Sequence, residues 1–299
     1  MAHLRLAIDQ MAPRLGDIDA NLKEHREAIR WAKKQRAELL VFPELSLVGY
    51  QTRGMTPQVA MKPFDERLLA LSGYAGGLGL IVGIVEKAPG GQYYNSAAYL
   101  KDGMVQGIQR KAFLPNYGMF DEKRFFAGAD KTTVFDTPWG KIGVLVCFDT
   151  LHPVAAYLHE QAGARILITI SNTPVRGLGA DGYMGAADLF CTAQRAHARL
   201  LGLFAVYVNR VGSEEGMTFW GGSHVLDPSG NAVVELPEYE AARAVCEIDL
   251  DAIDHARTLF PHLKESRPSY VLQEMWRLRV GRPDLFYPSS TDSESDLTP

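Results

Sequence analysis

Apolar and polar positions alternate through "AHLRLAID", residues 2–9, which predicts a strand. The runs "ELLVF", "LGLIVGIVE", "ARILITIS" and "FAVYVN" are short and continuously apolar, and each reads as a buried strand. Between the first two, Ile18, Leu22, Ile29 and Ala32 fall near helical spacing behind Asp17, an N-cap residue, so a helix is expected through Arg36. Further helices are expected over 65–75, 153–161 and 183–200. "NSAAYLKDGMVQGIQR" places Asp102-Gly103 between two strand-like runs, a hairpin signal. "TTVFDTPWGKIGVLVC" is a second hairpin candidate, "SHVLDPSGNAVVEL" turns at Pro228–Gly230, and "RAVCEIDL" closes the core as a strand. Helical connections mixed with tight turns predict an α/β fold with mixed sheets.

No internal repeat and no Pro/Gly/Ser-rich linker interrupts the first 285 or so residues. Residues 1–287 are therefore expected to form a single domain, and the polar run "SSTDSESDLTP" predicts a disordered tail over 288–299. The 299 residues are 46% hydrophobic and 22% charged, enough for a sizeable core. A net charge of −4 offers no electrostatic reason to expect nucleic acid or an anionic membrane as partner. "WAKKQR" reads as the solvated face of a helix. No apolar run spans a bilayer, "MAHLRLAIDQ" is no signal peptide, and Cys147, Cys191 and Cys246 form no CxxC pair; a reducing cytoplasm is expected. His159, His197, His224, His255 and His262 show no metal-ligand spacing, and the glycines of "GYAGGLGLIVG" open no helix. Neither metal nor cofactor is expected.

Chemistry enters at the ends of strands. Glu44 directly follows "LLVFP", Lys111 follows "GIQR", and Cys147 ends the run "GKIGVLVC". Ligand sites of α/β sheets lie outside the carboxyl ends of strands, so the three are candidates for one pocket. A thiol must lose its proton to attack carbon. A glutamate takes that proton and later returns it to a leaving amine, while a lysine favours the thiolate and binds an oxyanion. A helix starting after Cys147 adds to that stabilisation. Taken singly, each has an ordinary reading: a small core cysteine, a turn cap, an exposed lysine.

Around them, Asp149 is expected to hold the turn after Cys147 by hydrogen bonds to backbone, and His152 to cap or orient the loop rather than to pair with the thiol. Cys191 and Cys246 read as core. Tyr50, Tyr117, Phe120, Phe219 and Trp220 are candidates for a substrate pocket, each with core packing as the alternative. Asn172, after "ILITIS", is a candidate hydrogen-bonding group for substrate. Arg176 suits a carboxylate or a structural ion pair equally.

From about His3 to Asp249 the chain resembles the nitrilase, or carbon–nitrogen hydrolase, superfamily. "LLVFPELSLVGY" resembles the motif that supplies its glutamate, "RKAFLPNYGMFDEKRFFAG" the lysine motif and "GKIGVLVCFDTLHP" the cysteine motif, and "NRVGSEEGMTFWGGSHVLDPSGN" matches a further common segment. The resemblance implies Glu44 as general base, Lys111 as oxyanion-stabilising cation, Cys147 as nucleophile and the Phe148 backbone N–H as second oxyanion donor. Glu122 in "FDEKRFF" best matches the family's second glutamate. It implies a four-layer αββα sandwich and homodimers or larger homo-oligomers, with residues 260–287 as a C-terminal extension packing on a partner subunit. "CFD" departs from the polar residue that members often carry after the cysteine. The "LPNYGMFDEKRFF" run and "SNTPVRG" are similar to the glutamine-amidase domains fused to NAD synthetases, with no synthetase domain following here.

The expected activity is cleavage of a small linear amide through a Cys147 thioester, without cofactor. A nitrilase or N-carbamoyl amidohydrolase using the same residues, and a non-catalytic binding relative, stay open as alternatives.

Overall fold

A computed structural model of the chain describes residues 3–175 and 185–281. Its first half supplies β1 (His3–Gln10), α1 (Ile18–Lys34), β2 (Leu39–Val41), α2 (Thr56–Val59), α3 (Glu66–Ala75), β3 (Gly79–Lys87), β4 (Tyr93–Lys101) and β5 (Met104–Arg110). The second half supplies β6 (Val134–Thr137), β7 (Gly140–Val146), α4 (Pro153–Gln161), β8 (Ala164–Ser171), α5 (Gly185–Leu201) and β9 (Phe204–Asn209). After these come β10 (Val211–Glu214), β11 (Met217–Trp220), β12 (His224–Leu226), β13 (Ala232–Glu235), β14 (Ala242–Asp249), α6 (Asp251–Leu259) and α7 (Pro268–Gly281). The chain divides into two units, one ending at Ala256 and the other beginning at Arg257. In the second unit the described structure is a 3-10 turn, Pro261–Glu265, and α7. Arg176, the first two residues of the expected 183–200 helix, the end of the 260–287 extension and the 288–299 tail lie outside the described residues.

Two six-stranded sheets, ordered β14-β1-β2-β3-β4-β5 and β13-β12-β9-β8-β7-β6, repeat one plan. In each, three parallel neighbours (β1-β2-β3 and β7-β8-β9) are extended on both sides by antiparallel strands. Strand periodicity distributes the side chains. Ile142, Val144 and Val146 of β7 meet Leu6, Val41 and Ile81 of the first sheet in a core between the sheets. Leu145, on the opposite face, packs with Ala155 and Ala156 of α4 and Ala198 of α5. On the far side, Leu40 and Leu80 pack with Ala28 and Ile29 of α1 and Leu68 and Leu71 of α3. The result is helix, sheet, sheet, helix, as expected. Strands covered on both faces read as unbroken apolar runs because neither face meets water.

The strand ends are where the chain turns sharply. After β2, Leu45 takes a left-handed φ of 48°. Gly83 of β3 lies so close to this turn that a Cβ there would stand 2.1 Å from the Leu45 nitrogen and 2.6 Å from the Pro43 oxygen. The Gly83 N–H donates to Ser46 Oγ (3.2 Å), which also meets His25 Nε2 (3.0 Å). His25 Nδ1 in turn meets the Asn21 carbonyl at 2.7 Å, and burial pushes the imidazole pKa down to about 4, so the ring is neutral. Among the described residues no helix is long and apolar enough to cross a membrane.

Gly83→Ala puts a methyl into backbone that cannot retreat, and a loss of about 2 kcal/mol or more in urea unfolding is expected. An unchanged midpoint and slope would show that the turn after β2 does not need this close approach.

Candidate active site

The expected convergence at strand ends is present. Glu44 follows β2, Lys111 follows β5 and Cys147 follows β7, so both sheets contribute. Lys111 and Glu44 are fully buried and Glu122 nearly so. Lys111 Nζ lies 2.8 Å from Glu44 Oε1 and 2.8 Å from Glu122 Oε1. Glu44 Oε1 also accepts from Asn95 Nδ2 (2.6 Å), and its Oε2 accepts from the Asn172 backbone N–H (2.8 Å). Glu122 Oε1 accepts a second bond from the Tyr50 hydroxyl (2.7 Å), while its Oε2 is buried without a partner.

Electrostatics divide the roles. Burial alone would discharge Lys111, but Glu122 and Glu44 outweigh it and hold the ammonium pKa well above the ordinary lysine value. Burial lifts Glu122 to about 7; Lys111 opposes the rise and Glu44 adds to it. The Cys147 thiol is pushed up to about 12, first by burial and then by Glu44, with Lys111 pulling the other way. The lysine does favour the thiolate, as the sequence suggested, but burial prevails. At rest Cys147 is therefore a protonated thiol.

Cys147 sits at a strained elbow with φ at 49°, a left-handed value uncommon for a residue with a side chain. The 3-10 turn Cys147–Leu151 follows at once, so Phe148 stands in its first turn, where backbone N–H groups lack acceptors within the turn. Asp149, almost fully buried, pins the elbow. Its Oδ2 accepts from the Val146 N–H (3.1 Å), and its Oδ1 from the N–H groups of Ala112 (3.1 Å) and Phe113 (2.8 Å). Asp149 thus ties the elbow at Cys147 to the segment that follows Lys111. His152 stacks on Phe113 with ring centroids 3.7 Å apart, an orienting role for the loop.

The other candidates separate into two groups. Tyr117, Phe120 and Phe148 line a cavity of about 280 Å³ that contains Cys147. Tyr50, Asn172, Phe219 and Trp220 do not line it. Tyr50 hydrogen-bonds Glu122, Phe219 is fully buried, and Trp220 stacks on Tyr207 at 6.0 Å in a cluster beneath Cys147. Asn172 presents its backbone to Glu44, and its buried carboxamide has no hydrogen-bond partner. A second cavity, about 290 Å³, touches Tyr50 and Glu122 but not Cys147. Among the described residues no group of three or more His, Cys, Asp or Glu is placed to hold a metal ion.

Two contributors have no signal in their own stretch of sequence. Arg210, buried, binds Glu214 Oε2 at 2.6 Å and the Pro13 carbonyl at 3.1 Å. Glu214 Oε1 accepts from the N–H groups of Tyr50 (2.9 Å) and Gln51 (2.6 Å). This ion pair fixes the backbone from which Tyr50 reaches Glu122. Its partners lie more than 160 residues away, beyond any local spacing.

Two outcomes are expected. Asp149→Asn turns an NH2 toward at least one backbone donor and costs about 2 kcal/mol or more in urea unfolding; equal stability would remove Asp149 as the tie between Lys111 and the elbow. The ultraviolet thiolate absorbance of wild type minus Cys147→Ala stays absent below about pH 9, because a raised thiol pKa keeps the proton on sulfur until the pH approaches it. A thiolate already present at neutral pH would contradict the electrostatic account.

Comparison with known proteins identifies the family and the fold. The family model for carbon-nitrogen hydrolases matches residues 5–258. The glutamine-dependent NAD(+) synthetase of Acinetobacter baylyi is 28% identical over 251 residues, 84% of this chain and 45% of that one. The chain therefore spans less than half the length of that relative. The crystal structure of a carbon-nitrogen hydrolase from Helicobacter pylori G27 superposes with a TM-score of 0.81 at 26% identity, covering 90% of this chain and 97% of that chain. An amidase from Nesterenkonia sp. AN1, seen with acrylamide added to its active site cysteine, superposes with a TM-score of 0.70 at 25% identity, covering 87% of this chain and 98% of that one. With a matching family model over most of its length and the same two-sheet fold, the chain belongs to the carbon–nitrogen hydrolase family.

Proposed function

We propose that the protein hydrolyses the C–N bond of a small linear amide through a thioester on Cys147. The observation that carries this reading is the buried contact of Lys111 with both Glu44 and Glu122, next to a thiol that is held protonated. Glu44 takes the Cys147 proton as sulfur attacks the carbonyl carbon, forming the C–S bond. The oxygen of the resulting tetrahedral species gains negative charge, and the Lys111 ammonium and the Phe148 N–H offset it. Glu44 then passes its proton to the departing nitrogen, so the C–N bond breaks and ammonia or an amine leaves. Water next gives a proton to Glu44 and attacks the thioester. Collapse releases the carboxylic acid and returns the proton to sulfur. Glu122 and Tyr50 keep Lys111 in position throughout. No redox partner enters, and atoms and charges balance with water as the sole co-substrate.

The Nesterenkonia amidase, with its cysteine adduct, supports a reactive cysteine in this fold. The relation to the NAD(+) synthetase fits the same acyl chemistry, since that protein is glutamine-dependent.

The test is ammonia release from primary amides, N-carbamoyl compounds and nitriles. Wild-type protein is expected to release ammonia from amides, Cys147→Ala to release none, and Glu44→Gln to lose between about 10²- and 10⁴-fold in kcat. Intact mass should show an acyl group on Cys147 during turnover. A carbamoyl adduct, or turnover confined to nitriles, would replace the amide reading, and full activity in Glu44→Gln would remove Glu44 as base.

A further inference from the structure

The cavity that holds Cys147 is lined mostly by apolar and aromatic residues, with the Thr173 hydroxyl 3.9 Å from the Cys147 sulfur. Tyr117, Phe148, Leu151, Pro174, Leu189 and Phe190 surround it, and among the described residues that line it none carries a charge. Tyr117 meets Phe148 with centroids 5.8 Å apart, and Phe148 meets the edge of His152 at 4.9 Å. The aromatic at position 148 thus stands as a packed wall directly beside the nucleophile. Leu189 and Tyr117 are about half exposed and form a rim, whereas Phe190 is buried. Of the candidate catalytic residues, Cys147 and Phe148 line this cavity, and Glu44, Lys111 and Glu122 are fully or almost fully buried.

Resting on the hydrolase reading above, we infer that the acyl side of the substrate is an uncharged apolar group, a single aromatic ring on a short linker or a branched aliphatic chain, rather than the amino-acid end of glutamine. The carbonyl must reach Cys147, so the remainder of the acyl group lies along these walls. Burying hydrocarbon against them is favourable in proportion to its area, and an aromatic ring gains further from edge-to-face contact. A cavity of roughly 150 Å³ admits benzene, so 280 Å³ has room for a ring and a short linker. Phe148 is the specificity-determining wall, and it occupies the position where the sequence departs from a polar residue.

The test uses the full chain and five primary amides: propionamide, 4-methylpentanamide, 3-phenylpropionamide, glutaramate and L-glutamine. The expected result is a kcat/KM for 3-phenylpropionamide and 4-methylpentanamide at least 100-fold above that for glutaramate and glutamine, about 2.7 kcal/mol. Phe148→Ala is expected to narrow the preference for 3-phenylpropionamide over propionamide by at least tenfold. Glutamine or glutaramate turned over as well as the apolar amides would overturn the inference and leave the hydrolase reading standing, as would a preference that ignores Phe148→Ala. If no amide is turned over, acylation of Cys147 by the p-nitrophenyl esters of 3-phenylpropionate and acetate, followed by intact mass, decides. Faster acylation by the phenylpropionyl ester supports the apolar pocket, and faster acylation by acetate overturns it. No acylation of Cys147 by either ester overturns the hydrolase reading and this inference with it.

Discussion

One buried ammonium organises this molecule. Lys111 has no access to water, and its charge is matched by two carboxylates at 2.8 Å. Remove the cation and two carboxylates face each other in a dry interior, a situation that costs several kcal/mol or forces a proton onto one of them. Remove the carboxylates and the ammonium is stranded. Each partner therefore makes the others tolerable, and the backbone around them is built to keep the three in register.

That backbone comes from both sheets. β2 and its turn supply Glu44, β5 supplies Lys111, β7 supplies Cys147, and the residue after β8 lends Glu44 a backbone N–H. Glu44 and Asn172 follow the middle strands of the two parallel trios, equivalent places in the repeated plan. Two local devices join the halves. Asp149 accepts from the strand that ends at Cys147 and from the segment that begins after Lys111. The Arg210–Glu214 pair holds the Tyr50 backbone, and Tyr50 holds Glu122. The thiol is placed where Glu44 opposes its ionisation and Lys111 favours it.

Much of this was legible in the sequence, for a physical reason. Strands buried on both faces are written as apolar runs, so a charged or nucleophilic residue at the end of one stands out, as Glu44 and Cys147 do, whereas Lys111 follows the partly exposed edge strand β5 and stood out through the motif around it. Asp149 was legible as a backbone acceptor because a carboxylate just after a strand end has few other partners. Side-chain direction was not legible. Tyr50, Asn172 and Trp220 sit near the site, yet a one-dimensional pattern does not say whether an aromatic ring or amide faces a cavity or the interior beneath it. The β10–β11 hairpin was not assigned as strands, although Glu215-Gly216 makes its turn with φ of 48° and 80°. Long-range polar pairing was hidden altogether: Glu214 meets Tyr50 across 164 positions, beyond the reach of any local spacing.

The most direct measurement of the central claim is urea unfolding of Lys111→Met beside the triple variant Lys111→Met/Glu44→Gln/Glu122→Gln. If the ammonium is what allows the two carboxylates to be buried, the single variant loses about 3 kcal/mol or more, and the triple variant, with no charge left in the cluster, recovers a large part of that loss. A triple variant less stable than the single one would contradict the account: the carboxylates would then be stabilising the fold without the lysine, and the three residues would not be the interdependent unit described above.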